Sequence, residues 1–157
     1  MKRLNEEHVQ ELLPLFKHKC QSKVQFHQVD SAKVMHNIQY LFSLEWARTL
    51  YFEAIGLKID SGTYTESNMF MVVHSRIDYF NPAKFFEDYV VYTRLEFMKN
   101  SSIGFENIVA KPNGTILAHA SAVMVHIDPA TKKAAPLPDE FRWKIMEYEG
   151  EGLLVKK

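Results

Sequence analysis

The stretch that decides the fold runs from Asn37 to Gly56 and reads NIQYLFSLEWARTLYFEAIG. Its apolar residues cover nearly the whole circumference of a helix, and glycine at position 56 is typical of a helix end. The pattern predicts an α-helix over residues 38–55, about 27 Å long. Because a helix that is apolar on most sides must be covered on most sides, we expect the rest of the chain to wrap around it.

Four segments after this helix are predicted to be β-strands. Lys99-Asn100-Ser101 and Pro112-Asn113-Gly114 have the residues of hairpin turns, so the last three strands should form an antiparallel meander. In the last segment, alanines at positions 118, 120 and 122 would let a helix approach the sheet closely. The four strands are predicted over residues 68–79, 88–98, 102–111 and 115–127.

Shorter elements flank these segments. Residues 5–17 place apolar side chains on one helical stripe behind an Asn5 cap, and Pro14 is expected to end or kink that helix. Alternating residues over 23–29 predict a first strand, and residues 139–148 predict a last helix. The order is typical of an α+β fold in which a curved antiparallel sheet is wrapped around one long central helix.

The composition is that of one globular domain. The chain has 157 residues, 46% of them hydrophobic, and no linker divides it, so we expect a single domain over 1–157 with a helical extension over 1–21. Nineteen Lys and Arg balance nineteen Asp and Glu, which argues against a nucleic-acid partner. No apolar run is long enough to cross a bilayer and no signal core is evident, so we expect a cytoplasmic protein with no membrane partner.

Several kinds of site are not expected. The single cysteine, Cys20, excludes an internal disulfide. Seven histidines lack the HExxH spacing, and neither a glycine-rich phosphate loop nor a Gly-x-Ser-x-Gly motif is present. The sequence therefore predicts neither a metal site nor catalysis by a serine or cysteine nucleophile.

The junction before the predicted helix concentrates residues suited to chemistry. Asp30 ends the predicted first strand, a short loop follows, and the helix begins near Asn37. The first amides of a helix have no acceptor within it and lie at the positive end of its dipole, so they can polarise a carbonyl oxygen. Asp30 is placed to attack that carbonyl or to activate a water. From the residues alone, a turn or capping role for Asp30 is the more common alternative.

The residues from Asp30 to Arg48 also resemble a known family. The run D-x5-H-N-x2-Y-x4-E-x-A-R is similar to the signature of the hotdog-fold acyl-CoA thioesterases, and most of all to their 4-hydroxybenzoyl-CoA thioesterase-like family. The resemblance covers about residues 22–146. It implies a hotdog fold and an enzyme that hydrolyses an acyl thioester to a free acid and a thiol. Weaker matches follow in order at Asp78-Tyr79, Pro82-Ala83, Asp88, Ser101-Ser102, Gly114, residues 125–128 and Pro136-Leu137-Pro138.

The resemblance also implies roles for single residues. Asp30 falls on the catalytic carboxylate of the family, and the backbone N–H of Asn37 falls on the donor to the thioester carbonyl. The implied substrate-binding residues are Met35, His36, Tyr40, Ser101 and Ser102. For the two serines, a simple hairpin turn is the alternative.

Partners follow from the same resemblance. The substrate would be an acyl-CoA or an acyl-carrier protein, with coenzyme A as part of the substrate and no separate cofactor or metal. An open sheet edge implies a homodimer or homotetramer in which sheets join. In such assemblies the sites lie between subunits.

This chain departs from the family pattern at a few positions. Lys33 and Phe86 stand where relatives usually have glycine, and Lys84 stands where they usually have arginine. These departures bear on rate and substrate more than on fold, and they leave a non-catalytic acyl-CoA-binding protein as one alternative. A dehydratase or hydratase that uses His36 is another, although the chain lacks the Asp/Asn-x2-His spacing of that group.

Overall fold

The computed structural model describes residues 4–57 and 69–155. The long elements follow the predicted order, and a two-residue strand is added near the C-terminal end. No helix within these two ranges is long and apolar enough to span a membrane. The elements are α1 (Glu6–Leu12), β1 (His18–Lys23), α2 (Asn37–Ala54), β2 (Met69–Tyr79), β3 (Asp88–Met98), β4 (Ser102–Ala110), β5 (Ile116–Ile127), α3 (Asp139–Glu149) and β6 (Leu154–Val155).

The long helix α2 forms as predicted, but the chain buries only part of its circumference. It has 18 residues and ends just before Gly56, whose φ of 81° is left-handed. Its buried residues are Tyr40, Leu44, Ala47, Tyr51 and Phe52. Its exposed large apolar residues, between 42% and 61% exposed, are Ile38, Leu41, Phe42 and Trp46. The expectation that the rest of the chain covers the helix on most sides is therefore wrong for the face that carries these exposed residues.

The strands form one sheet in the order β1-β3-β4-β5-β2, with β6 beside β3. Strands β3, β4 and β5 are the predicted antiparallel meander, while β1 pairs antiparallel with β3 and β2 pairs antiparallel with β5. The short β6 runs parallel to β3, which the sequence did not predict. Ala118 and Ala120 are buried in one cluster with Leu44 and Ala47 of α2. The alanines thus allow the close approach of helix and sheet that their spacing predicts.

The first strand lies earlier in the chain than predicted. β1 spans His18–Lys23, whereas the middle of the predicted strand 23–29 is a 3₁₀ turn. In that turn the Gln25 N–H donates to Oε1 of Gln28 at 2.8 Å, so local side chains satisfy the backbone without a neighbouring strand. Phe26, which the alternation places on one face of a strand, is 80% exposed. The alternation therefore predicts the wrong element here.

The N-terminal helix is also shorter than predicted. Of the helix expected over 5–17, the regular part ends at Leu12, and Pro14 lies in the 3₁₀ turn that follows. This confirms that the proline ends the helix. The extension expected over 1–21 is not helical to its end, because its last residues belong to β1.

Candidate active site

The loop that leads into α2 is closed on itself by backbone hydrogen bonds. The Asp30 N–H donates to the Val34 carbonyl at 3.0 Å, and the Lys33 N–H donates to the Asp30 carbonyl at 2.9 Å. Lys33 has a φ of 61°, in the left-handed region that favours glycine. The loop follows a 3₁₀ turn rather than a strand end, which corrects the predicted strand-to-helix junction.

The two oxygens of the Asp30 carboxylate have different surroundings. Oδ1 accepts a hydrogen bond from the Ala32 N–H at 2.8 Å, which is the turn role that the residues alone favour. Oδ2 has no hydrogen-bond partner among the residues that the structure describes. The side chain is half-buried and lines a groove. One oxygen thus holds the loop while the other is available to a ligand.

The start of α2 presents an amide to the same groove. His36 is the N-cap residue, and its Nδ1 accepts from the Ile38 N–H at 3.2 Å. Because Nδ1 accepts, the neutral imidazole carries its proton on Nε2. The Asn37 N–H has no acceptor within residues 4–57 and 69–155. It therefore stands as an open donor at the positive end of the helix dipole.

These residues line one groove of about 400 Å³ beside the N-terminal end of α2. The groove contains five of the seven residues predicted for the site: Asp30, Met35, His36, Asn37 and Tyr40. The opposite wall, which sequence reasoning did not assign to the site, consists of Tyr79, Phe80, Asn81 and Pro82. The matches at Asp78-Tyr79 and Pro82-Ala83 were the available signal for this wall.

Tyr40 and Tyr79 connect the two walls. Their rings meet edge to face with centroids 5.3 Å apart, and the Tyr79 hydroxyl donates to the Asn37 carbonyl at 3.2 Å. Burial raises the pKa of Tyr40 to about 12, with a hydrogen bond from the Ala83 backbone opposing the shift. Tyr40 therefore stays neutral, and with the buried Met35 it gives the groove an apolar floor.

The two predicted serines lie elsewhere. Ser101 lies in the turn between β3 and β4, and Ser102 begins β4 and pairs with Val125 of β5. Tyr79, which lines the groove, pairs with Ala118, which also lies on β5. Ala118 and Val125 are seven residues apart, so the partners of Tyr79 and Ser102 are separated by about 23 Å along the strand. Within one chain the structure does not bring the serines to Asp30, so their hairpin role is what is observed here.

The described residues hold no cluster of metal-binding side chains. No three of their His, Cys, Asp or Glu side chains group in a way that could hold a metal ion. The groove instead offers a carboxylate oxygen, a backbone amide and an imidazole N–H. Such a set suits a polarised carbonyl compound.

A family model identifies the family of this chain. The model of the thioesterase-like superfamily matches residues 24–145. Among curated protein sequences, no relative reaches a significant match. Similar solved structures include a thioesterase from Thermus thermophilus in complex with coenzyme A and zinc, 27% identical with a TM-score of 0.75, over 87% of this chain and 96% of that one.

Two further structures have the same fold. A 1,4-dihydroxy-2-naphthoyl-CoA thioesterase from Synechocystis is 21% identical with a TM-score of 0.76, over 83% of this chain and 96% of the other. The probable thioesterase YbaW from Escherichia coli is 27% identical with a TM-score of 0.68, over 82% and 96%. The curved antiparallel sheet around α2 is thus the predicted hotdog fold. The chain belongs to the thioesterase-like superfamily, and its enzyme class is thioester hydrolase.

Proposed function

We propose that the enzyme hydrolyses an acyl thioester of coenzyme A in the groove beside Asp30. The observation that carries this proposal is the pairing of an unpartnered carboxylate oxygen, Oδ2 of Asp30, with the open N–H of Asn37 in one groove. The Thermus protein binds coenzyme A and the Synechocystis protein acts on a CoA thioester, which supports this substrate class.

The helix end supplies the electrostatic part of the reaction. A thioester carbonyl oxygen that accepts from the Asn37 N–H would lie at the positive end of α2. Negative charge grows on this oxygen as the carbonyl carbon is attacked, so the interaction is stronger in the transition state than in the ground state. The fixed backbone of the helix needs little rearrangement to provide it.

Asp30 then acts by one of two routes. As general base it takes a proton from water, the water oxygen bonds to the acyl carbon, and the carbon–sulfur bond breaks to release the thiolate. As nucleophile its carboxylate displaces the thiolate to form an acyl anhydride, which water hydrolyses. Rapid acid quenching with mass spectrometry separates them, because only the second route places an acyl group on Asp30. Both routes use water and the protein alone, with coenzyme A as part of the substrate.

Exchange of Asp30 for asparagine tests the proposal. In Asp30→Asn the amide oxygen can still accept from the Ala32 N–H, so the loop keeps its hydrogen bond. We expect thiol release from acyl-CoA to fall by about a hundredfold or more, the scale of a lost acid–base group. The exposed Asp139 at the start of α3 provides the matched control, and Asp139→Asn should leave turnover unchanged.

Other outcomes would point to the alternatives. Turnover that survives Asp30→Asn would retain the thioesterase and reject this mechanism. Binding of acyl-CoA by the wild type without turnover of any CoA thioester would favour an acyl-binding protein. Turnover of an acyl-carrier protein alone would keep the reaction and change the substrate.

The exposed face of α2 and the edge strand β2 support assembly into a homodimer. β2 has no described strand on its outer side, and its Met71, Val72 and Val73 are 48% to 61% exposed. A groove of about 340 Å³ lies between α2 and β2, lined in part by Leu41 and Phe42. A second copy joined along β2 would extend the sheet and cover these residues.

Sedimentation equilibrium tests the assembly. Val72→Lys should convert the dimer to monomer, since it places a charge in the joined surface. Val155→Lys, at a valine of β6 that is 54% exposed, is the matched control. A wild-type monomer, or a dimer insensitive to Val72→Lys, would contradict the proposed interface.

A further inference from the structure

Three phenylalanines form an exposed cluster away from the core. Phe26, Phe85 and Phe86 are 80%, 49% and 66% exposed. The ring centroids of Phe26 and Phe85 are 6.0 Å apart, and those of Phe85 and Phe86 are 5.8 Å apart. Exposed apolar side chains in one contiguous group mark interaction surfaces, whereas single ones do not. With Lys23, Lys33 and Lys84 these rings make what we call the Phe–Lys patch.

Two members of the patch have unfavourable backbone conformations. Phe86 has a φ of 68° and Lys33 a φ of 61°, and this left-handed conformation is strained for residues other than glycine. The Phe86 backbone is held by its N–H, which donates to the Val24 carbonyl at 2.9 Å, and by Lys23 Nζ, which donates to its carbonyl at 3.1 Å. Both side chains are exposed, so core packing does not offset the strain. An interaction with a partner would explain why they are there.

The rim of the patch is positively charged. Nζ of Lys23 lies 4.3 Å from the Phe86 ring centroid and forms an ion pair with Oδ1 of Asp88 at 2.8 Å. Lys33 and Lys84 are exposed, and no carboxylate in the described part of the chain lies within ion-pair distance of either ammonium group. The neighbouring Glu87 carboxylate accepts from the Lys84 N–H at 2.8 Å and is itself paired with Lys111 at 2.8 Å. The patch therefore presents an apolar centre with excess positive charge around it.

The patch is coupled to the loop that holds Asp30. Val34 forms an isolated antiparallel bridge with Lys84, and the Met35 N–H donates to the Ala83 carbonyl at 2.7 Å. The patch also adjoins β1 and β3, at the opposite side of the sheet from β2. A dimer joined along β2 would leave it accessible. None of its rings lines the active-site groove or the groove between α2 and β2.

We propose that the Phe–Lys patch docks the protein on the surface of an anionic lipid bilayer, which departs from the expectation of no membrane partner because that expectation considered only segments long enough to cross a bilayer. The three rings would enter the interfacial region, and the lysine ammonium groups would contact lipid phosphates. A peptide or helix partner is usually held in a groove, whereas these rings project from loops and line neither groove described above. Docking does not depend on the proposed hydrolysis, but it would bring the groove close to lipid-borne acyl chains.

Vesicle sedimentation with two unusual variants tests this docking. Phe86→Gly and Lys33→Gly each remove a patch side chain while placing glycine where the backbone favours it, so loss of folding would not explain their effects. Phe26→Ser removes a second ring, and Trp143→Ser, at an α3 residue that is 56% exposed, is the matched control. The vesicles are phosphatidylcholine with roughly a quarter phosphatidylglycerol, compared with phosphatidylcholine alone.

We expect the wild type to bind the anionic vesicles and to lose binding in high salt. The partition coefficient should fall at least about tenfold in the double variant Phe86→Gly/Phe26→Ser, because two rings that would be buried in the bilayer are lost. It should fall about fivefold in Lys33→Gly and remain unchanged in Trp143→Ser. Thermal unfolding checks that each variant is folded. Vesicle binding is measured directly, so the result does not depend on whether the enzyme hydrolyses the chosen thioester.

Three results would overturn the docking proposal. The first is no binding of the wild type to anionic vesicles, and the second is equal binding to phosphatidylcholine alone. The third is binding that the patch variants do not reduce. Reduced turnover of a carrier-protein thioester by Phe86→Gly, without vesicle binding by the wild type, would assign the patch to a protein partner instead.

Discussion

The two ends of α2 differ in how completely they are covered. At the N-terminal end His36 and Asn37 are exposed and border a groove of about 400 Å³. At the C-terminal end Tyr51 and Phe52 are buried. The ring centroid of Phe105 lies 5.5 Å from that of Tyr51 and 5.6 Å from that of Phe52. One helix therefore supplies both an open site and the most aromatic part of the core.

Polar groups follow the same division. At the open end, Asp30 Oδ2 and the Asn37 N–H have no partner among the described residues. At the closed end, Oε1 of the buried Glu149 accepts from the Tyr51 hydroxyl at 2.5 Å and from the Leu95 N–H at 2.8 Å. In this pair of sites, the unpartnered carboxylate oxygen and amide at the open end lie where a ligand can reach them, while the Glu149 carboxyl, far from the groove, accepts hydrogen bonds that hold α3.

The largest expected effect is on stability at the closed end. Phe105→Ala removes a fully buried ring between Tyr51 and Phe52, and should lower the free energy of unfolding by about 3–5 kcal/mol. Phe26→Ala removes the same ring from an exposed position and should change it by less than about 0.5 kcal/mol. Urea unfolding measures both. A loss of turnover per folded molecule in Phe105→Ala would show that the two ends are coupled.

A smaller effect, visible as pH dependence, is expected at Glu149. Burial raises the pKa of this carboxyl, although hydrogen bonds from Tyr51 and Leu95 oppose the shift. The folded protein then holds a proton that the unfolded chain releases between the ordinary pKa and the raised one, so stability falls as pH rises through that range.

Glu149→Gln isolates this effect. The variant keeps an acceptor oxygen for both donors and cannot ionise, so its stability should fall less as pH rises above the ordinary pKa of a glutamate. Urea unfolding of both proteins at several pH values measures the difference. Equal pH slopes would mean that Glu149 contributes no such penalty.

The same comparison separates what the sequence could predict from what it could not. The helix α2 and the meander β3–β5 depend on local signals, namely apolar residues around a helix and turn residues between strands. Asp30, His36 and Asn37 share one groove because they are close in sequence. The helix and the meander were predicted correctly, whereas the roles assigned to these three residues stay predictions.

The failures involve contacts between distant segments. β1 is fixed by its pairing with β3, about seventy residues away, which the alternation over 23–29 does not encode. The position of Ser102 in the sheet depends on how the strands pair. Its distance from Tyr79 could therefore not be predicted from the sequence. Lys33 and Phe86 take left-handed backbones, which normally favour glycine. Their own residue types do not indicate this, and the available signal was the glycine that the family pattern has at both positions.

The smallest effect is expected at His36, where capping and substrate binding must be told apart. His36→Ala removes the acceptor of the Ile38 N–H and should cost about 1 kcal/mol of stability. His36→Asn restores a strong N-cap residue and should recover most of that loss. If Nε2–H also binds substrate, the asparagine variant will show a raised KM although its stability is close to that of the wild type. Steady-state kinetics beside thermal unfolding measures both quantities, and a wild-type KM in His36→Asn would mean that His36 only caps the helix.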